Sequence, residues 1–363
     1  MIAPVDVTDI YIETERLILR AWTFDDLDDF YAYASVDGVG QMAGWMPHES
    51  KEVSRAILNS FIQGKKTLAV VHKDSGRVIG SIGIEPRDDA LDIPQELKGR
   101  ELGYVLSKAY WGRGLMPEAV SAVMDYCFTV LEYDFLTCGH FTRNSQSRRV
   151  IEKCGFHYLS EFNFTTRIGT VEPTRMYICF APRKTPLDPL EEQLAGVKIE
   201  TPRLILRNFR PEDAVKCFSF LSDGHTCEQN GFEPFSTMDW EYWWLMEKYH
   251  GQKGRFMVCL QGDDDVIGTI NVIQKEGDKA EIGYTISPAF CRNGYGFESV
   301  RAMIDYLFSH AAVGEILAET AANNMASVGL LSKLGFNCVK SVNDGFALPG
   351  NKFTDMLIFS LEK

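Results

Sequence analysis

The sequence predicts an α/β (α+β) protein built from two similar domains in tandem. A strand–glycine turn–helix segment occurs twice, and several other segments recur around it in the same order. The chain of 363 residues is long enough for two domains of ordinary size. Its apolar content of 45% and charged content of 24% are typical of a soluble globular protein.

The first copy of the glycine segment lies at residues 101–118. Alternating large apolar residues over 102–106 predict a strand, and apolar residues at helical spacing after Pro117 predict a helix. Gly112 and Gly114 lie in the turn between them. Because they have no side chains, an anion can approach backbone N–H groups at the positive end of the helix. The segment therefore predicts a phosphate-binding turn.

The other repeated segments define two copies of one domain. Asp25-Asp26 and Glu212-Asp213 follow the first strands and predict helix starts, because acidic residues suit the helix dipole. Residues 85–100 are a longer connection in the first copy, and their charge and prolines predict a surface loop. The paired segments are strands 12–20 and 199–207, strands 78–82 and 266–270, strands 101–107 and 281–287, strands 135–140 and 316–320, helices beginning at Asn144 and Asn324, and closing strands 176–180 and 356–359.

The segment between the two copies has the composition of a linker. Residues 183–197 contain prolines and an acidic pair, which are typical of a semi-rigid tether. The predicted domains are therefore residues 1–182 and 198–363, joined by a linker at 183–197.

Charge and cysteine content exclude several classes of function. A formal charge of -13 argues against a general binder of nucleic acid or anionic membranes. No apolar run reaches transmembrane length, and the N-terminus lacks the pattern of a signal peptide. The nine cysteines are scattered without a Cys-x-x-Cys pair, so neither a disulfide framework nor a metal site is expected. We expect a cytoplasmic monomer or homodimer that binds no nucleic acid and no membrane.

The order of these motifs resembles the GNAT acetyltransferase superfamily, and most closely the branch that contains the ribosomal-protein N-terminal acetyltransferases. The resemblance covers nearly the whole chain, twice. It implies two GNAT-like domains, each with a mixed, mostly antiparallel sheet whose central strands splay apart. It also implies acetyl-coenzyme A as co-substrate, with its pyrophosphate on the glycine-rich turn and its pantetheine arm in the splay. The acetyl group would pass directly to a primary amine on a small molecule or a protein N-terminus.

The resemblance assigns coenzyme binding to the end of the central strand, the turn and the following Asn-x-x-Ser motif. In the first copy these residues are Val105, Leu106, Gly112, Arg113, Gly114, Leu115, Met116 and Asn144. In the second copy they are Thr285, Ile286, Arg292, Asn293, Gly294, Tyr295, Gly296 and Asn324. The backbone N–H groups of Val105 and Ile286 would also stabilise the tetrahedral oxyanion. Both turns depart from the family pattern, because Trp111 and Cys291 replace its first Arg or Gln.

Many family members use a tyrosine as general acid, seven residues after the asparagine of Asn-x-x-Ser. That position holds Ile151 in the first copy and Leu331 in the second, so the usual acid is missing from both. The resembling branch assigns this role to a serine, matched here by Ser147 and Ser327. A structural alternative is that the asparagine caps a helix and the serine only supports the cap.

Glu101 and Glu281 are the candidate general bases, because they recur at the start of the central strand. A carboxylate beside an apolar cleft has its pKa raised towards the working range. The alternatives are an exposed glutamate or one paired with an arginine. His140 is a second candidate in the first copy, although a lone histidine is more often structural. Water can also accept the proton through a polar chain.

Aromatic residues follow the first strand of each copy, where we expect the acceptor pocket. They fit an apolar or cationic acceptor, but helically spaced aromatic residues are more often core. They are Trp22 and Trp45, with Met46, in the first copy and Trp240, Tyr242, Trp243 and Trp244 in the second. The competing functional hypothesis is a coenzyme-binding regulatory or scaffold protein that has lost catalysis in one or both halves. A dinucleotide-dependent oxidoreductase is excluded, since neither turn follows Gly-x-Gly-x-x-Gly.

Overall fold

The computed structural model describes residues 5–87, 91, 93–182 and 185–363, which fold as two units. Unit 1 spans Met1–Pro182 and unit 2 spans Arg183–Lys363. Each unit has an eight-stranded sheet with helices on its faces, and most neighbouring strands are antiparallel. The predicted fold class, two tandem domains with mixed sheets, is confirmed.

The sheet of unit 1 has the strand order β1-β2-β3-β4-β5-β6-β8-β7. Its strands are β1 (Tyr11–Glu13), β2 (Leu17–Ala21), β3 (Thr67–His72), β4 (Arg77–Glu85), β5 (Gly99–Leu106), β6 (Phe135–Phe141), β7 (His157–Thr165) and β8 (Val171–Phe180). Its helices are α1 (Leu27–Ala34), α2 (Lys51–Gly64), α3 (Leu115–Thr129) and α4 (Ser145–Lys153).

The sheet of unit 2 repeats this order as β9-β10-β11-β12-β13-β14-β16-β15. Its strands are β9 (Lys198–Glu200), β10 (Leu204–Asn208), β11 (Arg255–Leu260), β12 (Val266–Gln274), β13 (Lys279–Ile286), β14 (Glu315–Ala321), β15 (Asn337–Leu348) and β16 (Lys352–Glu362). Its helices are α5 (Pro189–Leu194), α6 (Asp213–Leu221), α7 (Gly224–Asn230), α8 (Trp240–Gly251), α9 (Tyr295–His310) and α10 (Met325–Lys333).

The two central strands of each sheet run parallel and then diverge. Strand β5 pairs with β6 only as far as Leu102 and Cys138, and β13 pairs with β14 only as far as Glu281 and Leu317. Beyond these points β5 stays paired with β4 as far as Leu106, and β13 stays paired with β12. Because each strand follows its antiparallel neighbour, a wedge opens on its other side. The predicted splay is therefore present in both units.

The repeated Val-Ile-Gly motif lets β5 and β13 approach their antiparallel neighbours closely. A Cβ atom at Gly80 would lie 2.4 Å from the carbonyl oxygen of Val105, and one at Gly268 would lie 2.2 Å from that of Thr285. Real Cβ atoms do not approach backbone oxygen so closely, so glycine is required at both positions.

We expect Gly80→Ala and Gly268→Ala each to destabilise their unit, because the obstructing atom is backbone and cannot rotate away. Overpacking of this kind costs about 1–3 kcal/mol. Denaturant unfolding measures the loss. Gly103→Ala, on the adjacent strand, is the matched control because a Cβ atom there meets nothing within 4 Å. Equal stability of Gly80→Ala and Gly103→Ala would contradict the steric explanation.

The segment predicted as one first strand is a hairpin in both units. Strands β1 and β2 pair antiparallel, as do β9 and β10. The turn closes through a hydrogen bond from the Thr14 N–H to the Leu17 carbonyl, 2.9 Å long. The single-strand prediction was wrong because the apolar alternation continues across this short polar turn. Edge strands β7 and β15 were not predicted at all, since most of their residues are exposed and carry little alternation.

Part of the segment predicted as a linker belongs to the core of unit 2. Helix α5 starts with a capping box between Asp188 and Glu191, and it buries Leu190 and Leu194 against the core.

In the predicted loop at 85–100, residues 88–90 and 92 lie outside the described residues. Arg87 and Ile93 are buried, at 5% exposure each, so this loop is not wholly a surface feature. Among the described residues, the helices are all too short or too polar to cross a membrane.

Candidate active site

The splay of unit 1 holds a cavity of about 530 Å³. Its walls come from β5 and β6, the glycine-rich turn, and the first turns of α3 and α4. The predicted site residues in its lining are Glu101, Val105, Leu106, Gly112, Gly114, Leu115, Met116, Asn144 and Ser147. Arg113 is not part of the lining, and its guanidinium lies over the Tyr110 ring, 5.1 Å from the ring centroid.

The predicted site residues of unit 2 occupy the matching elements. They are Glu281, Thr285 and Ile286 on β13, Arg292, Asn293 and Gly294 in the turn, Tyr295 and Gly296 at the start of α9, and Asn324 and Ser327 at the start of α10. The Thr285 hydroxyl donates to the side-chain oxygen of Asn230 at the end of α7, over 2.8 Å. The predicted site residues therefore lie on corresponding elements of the two units.

The glycine-rich turn follows the same backbone path in both units. Gly112 and Gly114 have φ of +75°, and Gly114 is the N-cap of α3. In unit 2, Gly294 has φ of +81°. Arg292 stands where unit 1 has Gly112, and it has φ of +61°. A left-handed conformation costs a non-glycine residue roughly 1–2 kcal/mol. The N–H groups of the first helical turn have no partner inside the helix, so they remain available to an anion.

A half-buried carboxylate, which sequence reasoning missed, anchors the glycine-rich turn to the first hairpin. Glu118 of α3 accepts hydrogen bonds from the Thr14 hydroxyl at 2.6 Å and from Arg16 Nε at 2.6 Å. Arg16 also donates to the carbonyl oxygen of Arg113 in the turn, at 2.9 Å. Burial alone would raise the pKa of Glu118, but these hydrogen bonds bring that pKa below its ordinary value. The same network recurs in unit 2 through Thr201, Arg203, Asn293 and Glu298.

The register of β5 decides which backbone N–H groups face the splay. The Ser107 N–H donates to the Ile79 carbonyl of β4. The odd-numbered residues at this end of β5 therefore form their backbone hydrogen bonds with β4. The N–H of Val105 therefore points towards β4 and Ser81, away from the splay. The prediction that Val105 supplies an oxyanion donor was wrong by one residue. Leu106 presents its N–H to the gap.

In unit 2 the same register leaves the N–H of Ile286 facing the gap, where it was predicted. The Ser287 N–H donates to the Ile267 carbonyl on β12.

The residue that departs from the family turn pattern has a structural role in each unit. Trp111 Nε1 donates to the Leu106 carbonyl at 2.8 Å, and the Cys291 thiol lies 3.6 Å from the Ile286 carbonyl. Both residues fix the end of the central strand.

Each candidate serine is held between an asparagine cap and a tyrosine. The Ser147 N–H donates to Asn144 Oδ1 at 3.1 Å, so Asn144 is the predicted N-cap of α4. The Ser147 hydroxyl lies 2.9 Å from the hydroxyl of Tyr104, which comes from β5. Asn144 Nδ2 donates to the Met42 carbonyl, so both ends of its amide already have partners. In unit 2 the corresponding distances are 3.1 Å between Ser327 N and Asn324 and 2.8 Å between the hydroxyls of Ser327 and Tyr284.

The candidate carboxylates differ between the units. Glu101 lines the cavity of unit 1. Glu281 of unit 2 forms an ion pair with Lys275 at 2.7 Å, and Lys275 has no counterpart at residue 95, which is glutamine. Glu319, on the diverging part of β14, is a carboxylate that sequence reasoning did not single out. Although Glu319 is exposed, partial desolvation and the neighbouring charge of Glu281 raise its pKa, and Lys275 opposes this shift. Unit 1 has Gly139 at the corresponding position. Aligning the two repeats would therefore have shown that unit 2 carries an additional acidic residue here.

His140 of unit 1 is part of a buried hydrogen-bonded group. Its Nδ1 lies 2.7 Å from the Phe141 carbonyl and its Nε2 lies 3.2 Å from the Tyr177 hydroxyl. Burial lowers the pKa of His140. With a partner on both ring nitrogens, His140 fits the structural reading better than that of a general base.

Part of the cavity lining is apolar and comes from Val39, Met42, Phe141, Phe162, Phe164 and Met176. Trp22, Tyr242 and Trp243 are buried core residues, as the sequence analysis favoured. Within the described part of the chain, no cluster of three His, Cys, Asp or Glu residues has the arrangement of a metal site.

Two copies of a splayed α/β sheet, each with a glycine turn at a helix N-terminus, define a tandem protein with a repeated site. The chain matches the acetyltransferase (GNAT) domain family twice, over residues 16–157 and 203–337. It therefore belongs to the GNAT acetyltransferase family, as its motif order predicted.

Its relatives are proteins about the length of one unit. Uncharacterized N-acetyltransferase p20 of Bacillus licheniformis is 30% identical over 169 residues, which are 45% of this chain and 94% of the relative. Uncharacterized N-acetyltransferase YoaA of Bacillus subtilis is 29% identical over 181 residues, 48% of this chain and 98% of that protein. The solved structure of ribosomal-protein-S5-alanine acetyltransferase from Vibrio fischeri is 19% identical, with a TM-score of 0.40, over 46% of this chain and 96% of that one. The resemblance to the ribosomal-protein branch stays a prediction.

Proposed function

We propose that each unit transfers an acetyl group from acetyl-coenzyme A to a primary amine of a small molecule or a protein N-terminus. The observation that carries this proposal is the cavity of unit 1. It joins the glycine-rich turn, the end of β5 that has diverged from β6 and the carboxylate of Glu101 in one cleft. The turn would bind the pyrophosphate, and the splay would receive the pantetheine arm. Membership of the GNAT family supports the same assignment.

The geometry supports direct transfer without a covalent enzyme intermediate. The amine nitrogen attacks the thioester carbon, and a carboxylate or water takes the proton that the nitrogen loses. The N–H of Leu106, or of Ile286 in unit 2, lies where it can donate to the developing oxyanion. The carbon–sulfur bond then breaks, its electron pair goes to sulfur, and the thiolate finally takes up one proton.

A thiol-release assay with acetyl-coenzyme A and a panel of primary amines tests the proposal. We expect free thiol to appear only with both substrates, with acetylated amine formed in equal amount. Coenzyme binding without any turnover above background would favour the alternative, a regulatory or scaffold protein.

The two units differ in the acidic residues of their central strands, so we propose that they prefer different amines. The cavity of unit 1 contains Glu101 and many apolar side chains, which fits an amine on an apolar body. Unit 2 adds Glu319 on β14, whose charge interacts with those of Glu281 and Lys275, and this extra carboxylate fits an amine that carries a second positive charge. Separate rates with an arylalkyl amine and a linear polyamine measure the difference, and identical preferences would contradict it.

We expect Glu319→Gln to lower kcat/KM of unit 2 for amines by about a hundredfold, the scale of a lost general base. Because the pKa of Glu319 is raised, its basic form is lost as pH falls through that pKa, and wild-type activity should fall with it. The variant should lose this limb of the pH profile. Glu315→Gln, on the same strand but paired with Lys279, is the control. An unchanged pH profile in Glu319→Gln would exclude this role.

A further inference from the structure

We propose that Tyr104 and Tyr284 are positioning residues that aim the hydroxyl of Ser147 and Ser327 at the leaving sulfur. The inference rests on the proposed function, because it concerns the departure of the thiolate. It assigns a role to a tyrosine on the central strand, where the motif Glu-x-Gly-Tyr occurs in both units.

The pair has the same geometry twice, although the surrounding residues differ. The hydroxyl–hydroxyl distance is 2.9 Å between Tyr104 and Ser147 and 2.8 Å between Tyr284 and Ser327. Cys138 lies beside Tyr104, whereas the corresponding residue in unit 2 is Ala318. The contact is therefore kept although one of its neighbours differs between the units.

The inference requires the tyrosine to donate to the serine hydroxyl; either hydroxyl can be the donor at 2.9 Å, and the Tyr104 hydroxyl also lies 3.1 Å from the Ser147 carbonyl. Burial raises the pKa of Tyr104 well above its ordinary value and raises the pKa of Tyr284 to about 12, so both phenols keep their proton at neutral pH. When the phenol donates to the Ser147 oxygen, the serine's own proton is directed elsewhere. The backbone N–H of Ser147 is fixed by the asparagine cap, so its side chain has few alternative positions.

With the tyrosine as donor, the serine proton can point into the splay. Ser147 and Tyr104 both line the cavity of unit 1, and Ser147 lies in the first turn of α4. The positive end of a helix stabilises a nearby thiolate. Tyr104 and Glu101 lie on opposite faces of β5, because side chains alternate along a strand. The donor to sulfur and the acceptor of the amine proton would therefore act from different sides of the thioester.

The step needs no additional reactant. As the carbon–sulfur bond breaks, the electron pair moves to sulfur and the serine hydroxyl donates a hydrogen bond to it. The thiolate then takes from solvent a proton equivalent to the one that the amine released. Serine and tyrosine both end the cycle in their starting protonation state.

The pKa of the coenzyme A thiol in the bound complex tests this inference without knowledge of the acceptor. We would measure it by NMR of coenzyme A labelled at the carbon beside sulfur, in a Gly294→Asp chain that restricts binding to unit 1. We expect the bound thiol pKa to lie below that of free coenzyme A. Ser147→Ala and Tyr104→Phe should both raise it, and the double variant should raise it no further than Ser147→Ala.

Turnover supplies a second readout. Tyr104→Phe should lower kcat roughly tenfold, which is a smaller effect than the loss of an oxyanion-hole donor. The KM for acetyl-coenzyme A should stay within about twofold of the wild-type value. Tyr126→Phe, a partly buried tyrosine of α3 outside the cavity, is the matched control and should change neither value. Tyr284→Phe in a Gly114→Asp chain repeats the experiment in unit 2, in case a unit 1 variant fails to fold.

The outcomes separate this inference from the proposed function. A thiol pKa that is unchanged in Tyr104→Phe, with coenzyme still bound and amines still acetylated, would overturn the inference and leave the function standing. Additive effects of Tyr104→Phe and Ser147→Ala would also overturn it, because independent roles predict additivity. A wild-type chain that binds no coenzyme A would overturn both.

Discussion

Replacing Gly294 by aspartate should leave the chain with one coenzyme site instead of two. A Cβ atom at Gly294 would lie 3.3 Å from Arg203 Nη2, so the new carboxylate can pair with this arginine. It would then occupy the positive end of α9, where the pyrophosphate is proposed to bind. We expect affinity in unit 2 to fall at least a hundredfold, since a fixed negative charge replaces a favourable anion site. Calorimetric titration with coenzyme A measures the stoichiometry.

Gly114→Asp should have the reciprocal effect on unit 1, where a Cβ atom lies 3.6 Å from Arg16 Nη2. Gly76→Asp is the matched control, because Gly76 has a positive φ of +65° and its Cβ position is open. The control imposes the same backbone strain and the same charge outside the cleft. Two full-affinity sites in Gly294→Asp would contradict the phosphate-binding role of the turn. One site already in wild type would show that only one unit binds the coenzyme.

The repeats made much of the fold predictable, because the central strands and the glycine-rich turn were seen in two versions of one pattern. Glycines at 80 and 268 recur since no other residue fits beneath the neighbouring strand. Features with a weak local signal were missed for a physical reason. Exposed edge strands such as β15 need no alternation of apolar and polar residues. The hairpin turn before Leu17 is so short that it does not interrupt the alternation of the flanking strands.

The details of the site depend on contacts between distant parts of the chain. Tyr104 and Ser147 are 43 residues apart in sequence, and nothing in either motif alone predicts their hydrogen bond. The one-residue error at Val105 has a similar origin, since hydrogen-bond register is a property of a strand pair. The comparison of the two copies offered the missing information at Glu319, where an acidic residue replaces glycine.

A buried ion pair after the first hairpin shows how the same motif can differ in energy between the units. Asp26 and Asp213 were predicted to favour helix starts, but each carboxylate accepts two hydrogen bonds from an arginine of the preceding strand. The Arg207–Asp213 side chains are 7% and 3% exposed, whereas those of Arg20 and Asp26 are 31% and 8% exposed. Water can therefore replace a lost partner in unit 1 more readily than in unit 2.

We expect Asp213→Asn to destabilise unit 2 by about 3 kcal/mol, because it leaves the buried charge of Arg207 with a weaker set of partners. Asp264, 3.0 Å from Arg207 Nε, retains part of the compensation. Asp26→Asn should cost unit 1 only about 1 kcal/mol, since Arg20 is closer to solvent. Hydrogen exchange followed by mass spectrometry assigns each loss to its unit. Equal losses in the two variants would show that burial does not set the strength of this pair.

The pH dependence of unit 1 offers an independent check on the same pair. Burial alone would raise the pKa of Asp26, but hydrogen bonds from Arg20 and Thr23 bring that pKa below its ordinary value. A lowered folded-state pKa gives stability that is present at neutral pH and is lost as pH falls below about 4. Exchange protection of unit 1 should therefore weaken on acidification in the wild type, and Asp26→Asn should show less of this dependence. An identical acid dependence in the variant would place the titrating group elsewhere in the unit.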